Sequence, residues 1–330
     1  MRKRNILFHA INGIWFGHIQ RAKNLASFLL WQEYIWEMHL ASSSKWEFDM
    51  WPFGSFHHLS EHISSDKYKE YEEQTYKEIS EVILQNNIEV IFHDTYFISP
   101  LVKRREISHF YVYRATSLKH FRSVKKYVFY FSKIYVPHSK EEFETIIPLE
   151  EYEEFQDKII FLWYVYDRSL EQIIQQKHKK KEKTIVISPW FGGDYEQVKD
   201  FFSYAINLVQ KFIWNTQELY QVYSYLGIHK DKLCEDLDIP ENFQTHWFSQ
   251  AYKAHFVECD LFVGRWWYNT VSEIITLQKK SLLYFAERFH ESQKTRIEFF
   301  ANNCSFIELS TKDVIQDMQY LQALRNLSLS

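Results

Sequence analysis

Short apolar runs alternate along this chain with longer stretches whose apolar positions recur every three or four residues. Asn5 to Ala10 is an apolar run of strand length, and Gly13 to Gly17 mark the turn that follows it. From His18 to Trp31 the period lengthens: Ile19, Ala22, Leu25, Ala26 and Leu29 form one buried helical face. Strand-like runs return at Tyr34 to Leu40, Glu89 to His93, His109 to Tyr113 and Lys133 to Val136, with a charged helical stretch at Tyr68 to Gln85. This alternation predicts a parallel sheet with helices on both faces.

The pattern then stops and restarts. After Phe161 to Tyr166 come a polar helix, Ser169 to Gln176, and a charged run from Lys177 to Lys183, which reads as a solvated linker. Thr184 to Ser188 is again a strand, Pro189 to Asp194 a glycine-bearing loop and Tyr195 to Val209 a helix. Shorter strands follow near Gln244 to Trp247, Leu261 to Val263, Ser281 to Phe285 and Ser305 to Glu308, and a helix from Lys312 to Leu327 ends the chain. The expected organisation is an α/β domain over residues 1–166, a linker over 167–183 and a second α/β domain over 184–330; a chain of 330 residues is long enough for both.

Composition narrows the function. A net charge of −4 carries no basic excess, so nucleic acid is not the expected partner. Three cysteines, widely spaced and without a C-x-x-C, suggest neither a disulfide framework nor a zinc site, and fit a reducing cytoplasm. Met1-Arg-Lys-Arg4 is not followed by the apolar run of a signal peptide, no run of about 18 apolar residues predicts a spanning helix, and nothing supports peripheral membrane contact. There are 7 glycines, where average usage would give about 23. Each one left is expected to mark a backbone need. The aromatic content of 18% is read mainly as core filler, including Trp46, Trp51, Phe53 and Phe56 of the first half.

Candidate chemistry gathers where predicted strands end. In Asp260 to Ile275 the strand Leu261 to Val263 leads to a turn opened by Gly264 and a helix starting near Tyr268. Tyr268, Asn269 and Thr270 then lie at the mouth of that helix, where unpaired N–H groups welcome an anion, and Glu273 lies one turn in. Gly13-x-x-x-Gly17-His18-x-x-Arg21 puts a histidine at a loop–helix junction, suited to general base work because its pKa lies near neutrality. Asp94, in His93-Asp94-Thr95, either orients that base or caps the next helix. The N–H groups of Gly192 and Gly193 suit a diphosphate or an ordinary turn, and Arg114 and Arg265 a phosphate or a structural ion pair. Asp236-Leu-Asp238 reads as a surface turn, and His57, His58 and His62 fit one helix face without a carboxylate or thiol to complete a metal site.

Tyr268-Asn-Thr-Val-Ser-Glu273, followed by Glu291-Ser-Gln293, resembles the donor-binding segment of the GT-B glycosyltransferases, in the family 28 group that includes the lipid II-forming N-acetylglucosaminyltransferase. The Gly17-His18 pair resembles the first-domain loop of the same group, and the fuller G-H-x-x-R form resembles a nucleotide-sugar hydrolase. The chain departs from the family at Trp267, where glycine is usual, and at Pro189-Trp-Phe191, where the loop is richer in glycine. The resemblance implies two Rossmann-like, doubly wound parallel-sheet domains facing a cleft. It implies a nucleotide-diphosphate sugar donor, UDP-linked in such enzymes, an unidentified acceptor, and no metal or other cofactor. Glu273 would hold the ribose, Glu291 and Gln293 the sugar, and Arg265 a phosphate. His18 and Asp94 would be catalytic, with Gly17 and Arg21 at the substrate. A hydrolase with water as acceptor and a non-catalytic binding protein are the alternative expectations.

Overall fold

The alternation along the chain is realised as two sheets in which every paired strand is parallel. The computed structural model describes residues 4–10, 17–30, 36–44, 50–60, 68–167, 169–175, 182–189, 194–247, 251–266, 268–285 and 293–328. The chain divides into two compact units, Met1–Tyr166 and Asp167–Ser330.

The first unit runs β1 (Arg4–Ala10), α1 (Gly17–Leu30), β2 (Trp36–Ser42), β3 (Ser55–His58), α2 (Tyr68–Asn86), β4 (Ile88–Asp94), β5 (Ser108–Val112), α3 (Leu118–Lys125), β6 (Lys133–Val136), α4 (Lys140–Glu144) and β7 (Ile159–Phe161). Its sheet has the order β3-β2-β1-β4-β5-β6-β7. Alternate residues of β1 face opposite layers, as strand geometry requires. Ile6, Phe8 and Ala10 join Ile19, Ala22 and Leu25 of α1 in one cluster. Leu7 joins Ile79, Val82 and Ile83 of α2 in the other.

The second unit runs α5 (Ser169–Gln175), β8 (Lys183–Ser188), α6 (Tyr195–Thr216), β9 (Tyr220–Tyr225), α7 (Lys230–Asp236), β10 (Phe243–His246), α8 (Ala251–Glu258), β11 (Leu261–Arg265), α9 (Tyr268–Leu277), β12 (Ser281–Tyr284), α10 (Gln293–Asn303), β13 (Ile307–Leu309) and α11 (Val314–Asn326). Its sheet order is β10-β9-β8-β11-β12-β13. Ile185, Ile187, Val263 and Leu282 pack with Phe201, Phe202, Leu321 and Leu324 from α6 and α11. On the opposite face Phe256 of α8 meets Phe262 edge-on at 5.1 Å.

Three expectations change. His57 and His58 lie on strand β3, so they alternate across the sheet instead of sharing a helix face; His62 is outside the described residues. Gly264 does not open a turn but lies inside β11, which continues to Arg265. A Cβ at Gly264 would meet the Phe262 ring at 2.2 and 2.4 Å and the Ser188 carbonyl oxygen at 3.0 Å, so glycine here answers close packing. Helix α6 runs on to Thr216 and ends where Gln217 turns left-handed, at φ 53°.

Three histidines line the buried middle of the first sheet. His9 of β1 pairs in register with His93 of β4, and both are fully buried. His109 Nε2 donates to the Arg104 carbonyl at 3.1 Å, which leaves its Nδ1 to accept from His93 Nε2 at 3.0 Å. Burial pushes His9 and His109 down to about 4, against the opposing pulls of Asp94 and of the Arg104 carbonyl respectively. Burial, with His109 and His9 as neighbours, also drives His93 well below 6.5. Between 6.5 and 4 the unfolded chain therefore binds more protons than the folded one, and stability falls as the pH falls. By chemical denaturation the parent is expected to lose roughly 2 kcal/mol more between pH 7.5 and pH 5 than a His109→Gln variant, which has no group to titrate there. The same pH dependence in parent and variant would contradict the assignment.

Candidate active site

Because every strand runs the same way, all loops leaving strand C-termini emerge on one edge of each sheet. The sheet order reverses direction between β1 and β4 in the first unit, and between β8 and β11 in the second. Such switch points open a crevice where ligands bind in α/β sheets.

At the first switch point, α1 begins at Gly17, and His18 and Arg21 are three residues apart on one face of its first turn. Asp94, the last residue of β4, pairs in register with Ala10 and is buried. His18 Nδ1 lies 2.6 Å from Asp94 Oδ2, so Nδ1 carries the proton it donates and Nε2 keeps a free lone pair. Arg21 reaches both carboxylate oxygens: Nε donates to Oδ1 at 2.6 Å and Nη2 to Oδ2 at 2.8 Å. Nη2 also lies 3.0 Å from His18 Nδ1; with both atoms protonated, this is a shared approach to Oδ2. Arg21 is buried and holds both Asp94 and Thr95.

The electrostatics of the three groups follow. Burial works to raise Asp94, but Arg21 and His18 outweigh it and hold the carboxyl at about 2. Burial lowers His18 from 6.5, Asp94 works against this, and Arg21 and Arg114 lower it further. Its position in the first turn of α1 also disfavours the cation. The side chain keeps 31% of its surface exposed, so solvent reaches it. Arg114 is half-buried beyond the end of β5 and lies near enough to lower both His18 and His120.

At the second switch point, Arg265 ends β11, is buried, and donates from Nη2 to Gln197 Oε1 at 3.2 Å. Asn269 and Thr270 lie in the first turn of α9, as the strand–helix reading expects; both are buried, and so is Glu273 one turn in. Burial raises the Glu273 carboxyl to about 8, Asp167 adds to the rise, and Lys253 opposes it. Lys253 Nζ itself donates to Asp167 Oδ2 at 2.5 Å and to Ser169 Oγ at 3.0 Å. Gly192, Gly193, Trp267 and Glu291 lie outside the described residues, as do the side chains of Tyr268 and Gln293. Among the described residues no group of three or more His, Cys, Asp or Glu side chains is arranged to hold a metal ion. None of the described helices is long and apolar enough to cross a membrane.

Sequence reasoning missed Asp167, Lys253 and Thr95. Asp167 and Lys253 lie 86 residues apart and only the fold joins them. Thr95 has φ 64°, the left-handed region that a β-branched residue avoids, and no glycine announced the turn.

No protein-family model matches this chain, and no curated protein matches it in sequence. Solved structures do match. The glycotransferase of kitacinnamycin is 12% identical, with 98% of this chain and 95% of that one covered at a TM-score of 0.64. Acinetobacter baumannii MurG is 10% identical over 98% of this chain and 94% of its own, at 0.59. The UDP-GlcNAc 2-epimerase of Methanocaldococcus jannaschii is 10% identical over 99% and 93%, at 0.65. The fold is GT-B. GT-B glycosyltransferases and UDP-sugar epimerases share this scaffold, so the chemistry has to be argued from the two edges.

A prediction follows from Glu273. A carboxyl raised from 4.5 to about 8 gives a folded state that holds its proton longer than the unfolded chain, so its contribution to stability is present below 4.5 and lost as the pH rises through 8. Glu273→Gln removes that loss. The variant's melting temperature relative to the parent is expected to rise steadily between pH 5 and pH 8; a difference that does not change with pH would contradict the buried, protonated carboxyl.

Proposed function

We propose that this protein is a glycosyltransferase that moves a sugar from a nucleotide-diphosphate donor, UDP-linked by preference, to an acceptor hydroxyl. The observation that carries the reading is the His18–Asp94 pair at the β1/β4 switch point, with Nδ1–H held by the carboxylate and Nε2 left basic on a side chain that solvent reaches. His18 Nε2 takes the acceptor hydroxyl proton as its oxygen attacks the anomeric carbon. The bond from that carbon to the diphosphate breaks, and the electron pair leaves with the nucleotide. Asp94 stabilises the imidazolium that forms.

The second unit would hold the donor. Glu273 would accept from the ribose hydroxyls, and the mouth of α9 at Tyr268, Asn269 and Thr270, with Gly192 and Gly193, would receive the diphosphate. Arg265 would meet phosphate charge, and Gln293 with Glu291 the sugar. The resemblance of the T-V-S-E segment to GT-B donor sites supports these roles, and the fold likeness to glycosyltransferases supports the class of reaction. Trp267, in place of the family's glycine, marks the loop where diphosphate binding departs from the pattern.

The donor site is tested by thermal melting against nucleotides and nucleotide sugars. A ligand at 100 times its Kd stabilises by about 2.7 kcal/mol, and the shift should appear with a uridine diphosphate and vanish in Glu273→Ala. No shift with any nucleotide would sink the donor reading. The base is tested by His18→Ala, expected to lower kcat by about 100-fold or more with little change in donor KM. Parallel losses in both would remove His18 from the chemistry. Nucleotide release at full rate without an acceptor would make water the acceptor.

A further inference from the structure

Asp94 meets more than His18, and the extra partners follow a geometric logic. A carboxylate offers about four acceptor positions. Arg21 takes one on each oxygen through the fork of Nε and Nη2, at 2.6 and 2.8 Å. The same Nη2 donates to Thr95 Oγ1 at 2.9 Å. Thr95 turns left-handed to bring its hydroxyl there, and two bonds hold it: its N–H donates to the Val112 carbonyl at 2.9 Å, and the Tyr111 hydroxyl donates to its carbonyl at 2.7 Å. A β-branched residue in that backbone region is an outlier that persists only where its surroundings over-determine it.

We propose that Arg21 and Thr95 are positioning residues for His18: the guanidinium, anchored on Thr95 Oγ1, locks the Asp94 carboxylate so that Oδ2 meets His18 Nδ1–H and Nε2 is left as the proton acceptor. This rests on the reading of His18 as the base. The charge of Arg21 has a second consequence. It offsets part of the pull of the buried carboxylate, which raises His18 against burial and Arg114. A lysine cannot replace it, because a point charge does not span two oxygens and a hydroxyl in one plane.

The test needs no substrate. Histidine-labelled full-length protein is titrated by NMR, with the His18 signal among the 15 histidines assigned by its absence in His18→Gln. The parent is expected to show His18 neutral at pH 7 as the Nδ1–H tautomer. Arg21→Gln is expected to raise the His18 midpoint by about one unit, a tenfold gain in proton affinity. Thr95→Val leaves both charges in place and is expected to shift tautomer balance toward Nε2–H; Thr95→Ser, which keeps the hydroxyl, should restore the parent spectrum. If Arg21→Gln does not fold, the Thr95 pair decides. An unchanged His18 midpoint and tautomer in Arg21→Gln, or in Thr95→Val, would overturn the proposal. A parent with the expected tautomer and no sugar transfer would instead retain the positioning role and reject the function.

Discussion

A parallel sheet leaves no choice about where its loops go. Within each sheet the strands enter from the same side, so the residues that follow β1, β4 and β5 in the first sheet emerge on one edge of it, and those that follow β8 and β11 on one edge of the second. Where the winding reverses, neighbouring loops diverge and leave a crevice bordered by helix N-termini. His18 and Asp94 lie at one such point, and Arg265 and Glu273 at the other. The sites are consequences of the winding, and the apolar faces that drive α1, α2, α6 and α11 onto the sheets hold them in place.

Two buried carboxylates then behave in opposite ways. Asp94 and Glu273 are buried to a similar degree, yet one is held at about 2 and the other raised to about 8. Desolvation pushes both upward. Asp94 has a buried arginine fork and a histidine against it, and their attraction outweighs the loss of water. Beside Glu273, Lys253 is already paired with Asp167, whose own charge adds to the rise. An ionised carboxylate and a neutral carboxylic acid are thus made from nearly the same side chain by different surroundings.

The histidine row His9, His93 and His109 shows the same physics without a paired acid. Register sets His9 beside His93, and His109, opposite Ile91 on the next strand, reaches His93 through its ring; burial excludes water, so the rings stay neutral. Their neutrality fixes the tautomers that link His93 to His109 and on to Arg104.

Much of this was legible in the chain. Apolar runs of strand length and three-to-four-residue periods are local properties set by burial of one face, and they marked β1, α1, β4, β6, β8 and α9 within a few residues. The helix-start positions of His18 and of Asn269 and Thr270 were likewise readable, because a strand followed by a helix implies them, whereas the burial of Asn269, Thr270 and Glu273 was not. Strand β3 was not, since Ser55 to His58 carries little apolar signal and is made a strand by pairing with β2. Nor was the role of Gly264, set by a ring two residues back and a carbonyl 76 residues away in sequence. The sequence alone determined the order of elements and the residue types offered to each edge. The packing across the chain decided which charges met: Arg21 with Asp94, and Lys253 with Asp167, which leaves Lys253 only a weak counter to the burial of Glu273. Those pairings cross 73 and 86 residues, and desolvation, which sets their protonation, is a property of the packed surroundings and not of any local stretch.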